Sequence, residues 1–213
     1  AALPPGPGPR LLHLDCRHPE AAAALAEAAR ERDGVRISLD VERKRPGLDR
    51  MLPLCDAIFC NSTFPQEWTG ATGLPGALAA LLDEFPRAAF AVATQGSRGS
   101  LLLARDSPEI DLGEGAVEAA EVPVTCCHGS FGKYRTLACD AWPLAPEASV
   151  RDSTGAGDVF IAGVLHAWLA GRPLSAALAT GSFVATQKLQ QLGARLGPDF
   201  EASSLPFGLG GSD

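Results

Sequence analysis

Short apolar runs alternate with longer alanine- and leucine-rich segments over the first half of the chain. The apolar runs predict buried strands at 11–15, 35–41, 57–60, 88–93 and 100–104. The segments between them predict helices at 19–32, 48–52 and 74–82. Alternation of this kind indicates a mostly parallel sheet with helices on its faces.

The pattern changes after residue 105. Prolines at 108, 123, 143 and 146 predict short antiparallel strands and loops as far as residue 150. Helices are then predicted at 156–170 and 174–192, with Pro173 near the start of the second. We interpret 10–200 as one α/β domain, 1–9 as a proline- and glycine-rich linker or truncation edge, and 201–213 as a tail.

Composition and charge narrow the class of function. Of 213 residues, 46% are hydrophobic and 20% are charged, as in an ordinary globular domain. The net charge of −7 argues against nucleic acid as a main partner. No apolar run approaches the ~20 residues of a membrane helix, so no membrane partner is expected. Because the chain opens with no signal peptide, we expect a cytoplasmic location, or an organelle if a transit peptide has been removed.

The six cysteines are expected to be reduced thiols, because a chain of this size can build a core without disulfides. Cys126 and Cys127 stand beside His128, which invites a metal interpretation. No second Cys-x-x-Cys or His pair completes a tetrahedral set. We therefore predict no metal site built from protein side chains.

The most informative stretch is Asp-Ser-Thr-Gly-Ala-Gly-Asp at 152–158, here called the motif loop, which directly precedes an apolar helix. N–H groups at a helix start have no intrahelical partner and lie at the positive end of the helix dipole. Small side chains let an anion approach them closely. An aspartate in the first turn would then lie beside the anion, where it could accept a hydroxyl proton. The alternative is a tight turn followed by an aspartate that favours the helix dipole.

The full seven-residue string resembles the C-terminal motif of the phosphofructokinase-B (PfkB, ribokinase-like) family of sugar kinases. Residues 94–99, Thr-Gln-Gly-Ser-Arg-Gly, resemble the family's Thr-x-Gly-x-x-Gly loop on the nucleotide phosphates. Residues 181–188, with Gly193-Ala194 beyond them, resemble the C-terminal helix beside the adenine pocket. Segments 11–17 and 36–42 look most like the ketohexokinase branch. The resemblance implies a three-layer α/β/α, Rossmann-like fold.

The resemblance also implies a role for each matching residue. Asp158 would be the general base, and the N–H groups of Gly155, Ala156 and Gly157 would form an anion hole. Asp152 and Thr154 would support the motif close to a cation. ATP would contact Arg17, Thr94, Gly96, Ser97, Arg98, Gly99, Gly181, Ser182 and Ala185.

Some of these assignments have structural alternatives. Arg17 and Arg98 are also compatible with ordinary surface arginines. The small residues Gly181, Ser182 and Ala185 leave room for a flat adenine ring, but they equally allow two helices to pack closely.

The function implied is phosphorylation of a sugar hydroxyl, with ATP and Mg²⁺ as cofactors and a monovalent cation as a further candidate. The family's Asn-x-x-Glu pattern is replaced by Asn-Ser-Thr-Phe at 61–64, a departure shared with ketohexokinases. The family's N-terminal strands and lid, which carry most sugar contacts, have no counterpart. We therefore expect an incomplete chain with an exposed sheet edge that forms homo-oligomers. A non-catalytic nucleotide-binding remnant and a kinase of a nucleoside or vitamin stay open.

Overall fold

The computed structural model describes residues 10–113, 124–198 and 200–206. These residues divide into two compact units that interleave along the chain. The first unit takes the described residues up to Thr94 together with Leu102–Arg105 and Ser130–Arg135. The second takes Gln95–Leu101 and the remaining described residues.

Four parallel strands belong to the first unit. They are β1 (Leu11–Leu14), β2 (Arg36–Val41), β3 (Ala57–Asn61) and β4 (Phe90–Thr94), and they pair in that order. Leu39 of β2, for example, lies opposite Ile58 of β3. Continuous apolar runs such as Ala-Ile-Phe-Cys suit strands that are buried on both faces. The predicted strands are confirmed, with ends that differ by one or two residues.

Three further strands complete the strand order. They are β5 (Ser100–Arg105), β6 (Cys126–Phe131) and β7 (Tyr134–Cys139), in a sheet of order β1-β2-β3-β4-β5-β7-β6. Short turns join β4 to β5 and β6 to β7, so both of these pairs are antiparallel. This confirms the α/β class and the antiparallel strands predicted after residue 105.

Six helices lie in the described part of the chain. They are α1 (Pro19–Arg30), α2 (Leu48–Met51), α3 (Phe64–Thr69), α4 (Leu74–Glu84), α5 (Ala156–Leu169) and α6 (Leu174–Leu189). Single 3-10 turns occur at Leu52–Leu54, Gly96–Arg98 and Ala202–Ser204. Five of the six helices were predicted. The exception is the six-residue α3, which begins with Phe64 and Pro65.

Two glycines let α5 and α6 pack against each other closely. A Cβ added to Gly163 would lie 2.9 Å from the Cα atom of Gly181. A Cβ added to Gly181 would lie 2.7 Å from the carbonyl oxygen of Phe160. The two helix backbones therefore touch at positions where no side chain fits.

The expectation of six reduced thiols is wrong for Cys126 and Cys139, which form a disulfide between β6 and β7. Because Gly132 and Lys133 connect these strands, the two cysteines lie opposite each other in the hairpin, within reach of a bond. An argument from chain size could not find this pair, since it depends on strand register. Three of the other cysteines are buried; burial raises the pKa of Cys16 to about 11 and that of Cys55 to about 12.

The proposed linker at 1–9 lies outside the described residues. So does most of the proposed tail at 201–213, of which the structure describes residues 201–206. The single domain over 10–200 stays a prediction.

Candidate functional site

The motif loop runs directly into α5. Gly155 precedes the first helical turn with a φ of +77°, and Asp158 lies within that turn. A Cβ added to Gly155 would lie 2.9 Å from the Cβ atom of Ala194. Gly155 is therefore required both by its left-handed backbone and by its close approach to the segment that follows α6.

The N–H groups at the start of α5 differ in availability. Ala156 donates to the carbonyl oxygen of Ser153 at 3.1 Å, so its N–H is already used within the loop. Gly157 and Asp158 lie among the first four helical positions, which lack an intrahelical acceptor. A Cβ added to Gly157 would meet nothing within 4 Å. The open part of the site is thus formed by Gly157 and the exposed Asp158.

Asp152 joins the motif loop to the segment after α6. Its Oδ1 atom accepts a hydrogen bond from the N–H of Thr154 at 2.9 Å, and its Oδ2 atom accepts one from Gly193 at 2.8 Å. The hydrogen bonds from Thr154, followed by that from Gly193, lower the pKa of Asp152 from 3.8 to about 2.

We expect the contribution of Asp152 to stability to disappear in acid. A folded-state pKa below the unfolded value of 3.8 means that the stabilisation is complete above that value and is lost as the pH falls towards about 2. Urea unfolding of the wild type and Asp152→Asn should therefore give curves that converge from about pH 6 to pH 2. Asp49→Asn, at an exposed position of α2, is the control. A gap between wild type and Asp152→Asn that stays constant over this range would contradict the assignment.

Lys188, near the end of α6, is a site residue that sequence reasoning missed. Its side chain is fully buried, and its Nζ atom donates to the carbonyl oxygens of Asp152 at 2.7 Å and Gln191 at 3.2 Å. Lys188 follows Gly181 by seven residues, so both lie on the same face of the helix. A lysine on the buried face is the signal that could have found it.

The Thr-x-Gly-x-x-Gly segment forms the tight turn between β4 and β5. Gln95 donates to the carbonyl oxygen of Gly99 at 2.8 Å and closes the turn. Gly96, with a φ of +62°, has nothing within 4 Å of an added Cβ. A Cβ at Gly99 would instead collide with the main chain of Cys139 and Asp140. Gly96 therefore leaves space beside the turn, whereas Gly99 is required by packing.

The small residues of α6 have packing roles. The Ser182 hydroxyl accepts a hydrogen bond from the N–H of Trp142 at 2.6 Å and donates to the carbonyl oxygen of Asp140 at 3.2 Å. Gly181 packs against Phe160, as described above. Ala185 is half-buried. These contacts support the packing alternative; an adenine pocket at these residues stays a prediction.

The structure gathers most of the predicted site residues into one unit. The second unit holds the motif loop, the α6 residues and Gly96, Ser97, Arg98 and Gly99, of which Ser97 and Arg98 are exposed. Thr94 and Arg17 belong to the first unit. Thr94 donates to the carbonyl oxygen of Cys60 at 3.4 Å. The Arg17 side chain is 76% exposed and pairs with Asp15 at 3.4 Å, as a surface arginine does.

Across residues 10–113, 124–198 and 200–206, no three His, Cys, Asp or Glu side chains gather in a way that could hold a metal ion. The helices of this part of the chain are too short or too polar to cross a membrane.

Residues 139–200 match the model of the pfkB family carbohydrate kinases. An adenosine kinase of Schizophyllum commune is 29% identical over 150 residues, which are 70% of this chain and 38% of that protein. A fructoselysine 6-kinase of Escherichia coli is 42% identical over 69 residues, or 30% of this chain and 26% of that protein. The structure of Arabidopsis thaliana ribokinase complexed with ribose and ATP shares the fold, with a TM-score of 0.61 and 21% identity over 87% of this chain and 51% of that one.

Residues 139–200 thus match the PfkB family, and the chain has the ribokinase-like fold. Its similar proteins of known activity are kinases. The chain spans 38% and 26% of the curated relatives described here, and about half the length of the ribokinase. The ketohexokinase branch stays a prediction.

Proposed function

We propose that this chain is part of an ATP-dependent kinase that phosphorylates a hydroxyl group of a carbohydrate. One observation carries the proposal. The exposed carboxylate of Asp158 lies in the first turn of α5, directly after Gly157, whose surroundings are open. An anion at this helix start and a hydroxyl beside the carboxylate would bring donor and acceptor together.

The residues of the second unit suit a nucleoside triphosphate. The N–H groups of Gly157 and Asp158 would hold the terminal phosphate, and the turn at Gly96 and Ser97 would hold the other phosphates, with Arg98 as a charged partner. ATP supplies the phosphoryl group that is transferred. Mg²⁺ would be held chiefly by phosphate oxygens.

Asp158 would accept the proton of the attacking hydroxyl. Gly155 and the hydrogen bonds of Asp152 would fix the motif loop so that the carboxylate needs no rearrangement during the reaction. Adenine would lie against α6, beside Gly181, Ser182 and Ala185. The acceptor would be the hydroxyl group of a sugar, as in a ketohexokinase-like enzyme, and the kinases similar to this chain are named for adenosine and fructoselysine.

A second candidate is a nucleotide-binding chain without kinase activity. Such a chain would use the same nucleotide site, at Gly157 and the turn at Gly96, without positioning an acceptor hydroxyl beside Asp158. A kinase of a nucleoside or vitamin is compatible with the same nucleotide site.

Two measurements test the proposal. The first is the affinity for Mg·ATP by calorimetry, and the second is the rate of ADP release with fructose, ribose, fructoselysine or adenosine as the acceptor. We expect ATP binding, and slow turnover that one acceptor class raises above the background hydrolysis. Binding without acceptor-dependent turnover would favour the second candidate. Absence of ATP binding by the folded chain would contradict both.

Gly157→Val should weaken ATP binding while leaving stability nearly unchanged. The surroundings of Gly157 can accept the side chain without a clash in the protein, so an anion at the helix start would be the group obstructed. Gly157→Ala provides a graded comparison and should have a smaller effect. The readouts are ATP affinity by calorimetry and the urea unfolding midpoint. Unchanged affinity in a folded Gly157→Val variant would place the nucleotide elsewhere.

A further inference from the structure

Lys188 is a buried cation that joins two segments of the second unit. Its side chain has no exposed surface, and its Nζ atom donates to Asp152 and Gln191, one carbonyl oxygen in the motif loop and one beyond α6. A buried ammonium group is costly unless hydrogen bonds and opposite charge compensate for its lost hydration. A lysine in this position therefore needs partners on both segments.

The surroundings of Lys188 supply this compensation. Hydrogen bonds from Thr154 and then Gly193 lower the pKa of Asp152, and the positive charge of Lys188 adds a smaller contribution in the same direction. The N–H group of Arg151 also donates to the carbonyl oxygen of Leu189, at 2.8 Å. The Lys188 ammonium group, the Asp152 carboxylate and this main-chain hydrogen bond thus connect the motif loop to the end of α6 and the residues that follow it.

These contacts occupy oxygens that a monovalent cation beside the motif loop could otherwise use. Main-chain carbonyl oxygens are suitable ligands for such an ion. Two of them, those of Asp152 and Gln191, already accept hydrogen bonds from Lys188. The residues here therefore do not fit an added cation at these oxygens.

We infer that the Lys188 ammonium group provides, within the chain, the positive charge that a bound monovalent cation would otherwise provide at the motif loop. Lys188 is then a positioning residue: it fixes the loop that leads to Gly157 and Asp158. The shape of the loop, and the nucleotide binding proposed above, should not depend on K⁺ or Na⁺. The prediction for nucleotide binding rests on the proposed function, whereas the prediction for the stability of the loop does not.

The first arm of the test uses the wild-type chain. Its unfolding midpoint and its ATP affinity are measured at equal ionic strength in KCl, NaCl and tetramethylammonium chloride, whose cation is too large to enter a carbonyl site. We expect ATP affinities that agree within about twofold, and one unfolding midpoint. A selective gain in K⁺ or Na⁺ would overturn the inference.

The second arm uses Lys188→Ala, with the exposed Lys44→Ala as a control. In tetramethylammonium chloride, Lys188→Ala should unfold more easily and bind ATP about tenfold more weakly, and ammonium or K⁺ should restore part of both losses. Equal losses in all salts would make Lys188 merely structural.

If the wild type binds no ATP, the proposed function fails, while the salt-specific recovery of the unfolding midpoint still decides this inference. If Lys188→Ala does not fold, Lys188→Gln replaces it, and the wild-type arm decides by itself if neither variant folds.

Discussion

Replacing Asp158 by asparagine should slow phosphoryl transfer by about 10²–10⁴-fold and change ATP affinity by no more than a few-fold. The amide is nearly isosteric with the carboxylate but cannot accept the hydroxyl proton. The Asp158 side chain is exposed at the start of α5, and the N–H groups that would hold phosphate belong to the main chain, which the substitution leaves in place.

The measurement is steady-state ADP release beside calorimetric ATP affinity, in the longest form of the protein that shows turnover. Asp49→Asn is the matched control, because Asp49 is also an exposed aspartate in a first helical turn. It reports the loss of an exposed first-turn carboxylate away from the motif loop. Turnover of Asp158→Asn within a few-fold of wild type would remove Asp158 from the role of base. A large loss of ATP affinity with no separate loss of turnover would assign it to binding instead.

Gly99→Ala should destabilise the folded chain by about 3 kcal/mol or more, a sum of two effects. The backbone of Gly99, with a φ of +81° and a ψ of −131°, lies in a region that is almost restricted to glycine, and it costs another residue about 1–3 kcal/mol. The new methyl group would also collide with main-chain atoms of Cys139 and Asp140, which cannot rotate away as a side chain can. Forced overpacking of this kind costs about 1–3 kcal/mol.

Gly34→Ala separates the two effects. Gly34 has a similar φ of +78°, but an added Cβ would meet nothing within 4 Å. Its loss of stability should therefore reflect the backbone conformation alone. Urea unfolding of the wild type and both variants gives the comparison. Equal losses for the two variants would show that β7 does not restrict the space at Gly99.

Local patterns predicted most of the secondary structure. The apolar strand at 57–61 and the long helices α5 and α6 follow from residues that are close in sequence, so their periodicity is visible before folding. The motif loop also has a local signal, since its small residues and its first-turn aspartate belong to one helix start.

The division of roles between similar glycines could not be predicted from spacing. Gly96 and Gly99 belong to one motif, yet Gly96 borders open space and Gly99 packs against the end of β7. Gly181 matches a family helix near adenine, yet its lack of a side chain is required by Phe160 of α5. For Gly99 and Gly181, the atoms that leave no room for a side chain belong to residues that are distant along the chain.

The sequence by itself determined the α/β class, the order of the main strands and helices, and the motif that resembles the PfkB family, because each depends on patterns among residues that are close along the chain. Tertiary structure alone decided the Cys126–Cys139 disulfide and the burial of Lys188 beneath Asp152, which is 36 residues away along the chain. Strand register and helix packing bring such groups together. A lysine has the same chemistry on a surface as in a core, and only the packed chain removes its water and leaves two carbonyl oxygens as its partners.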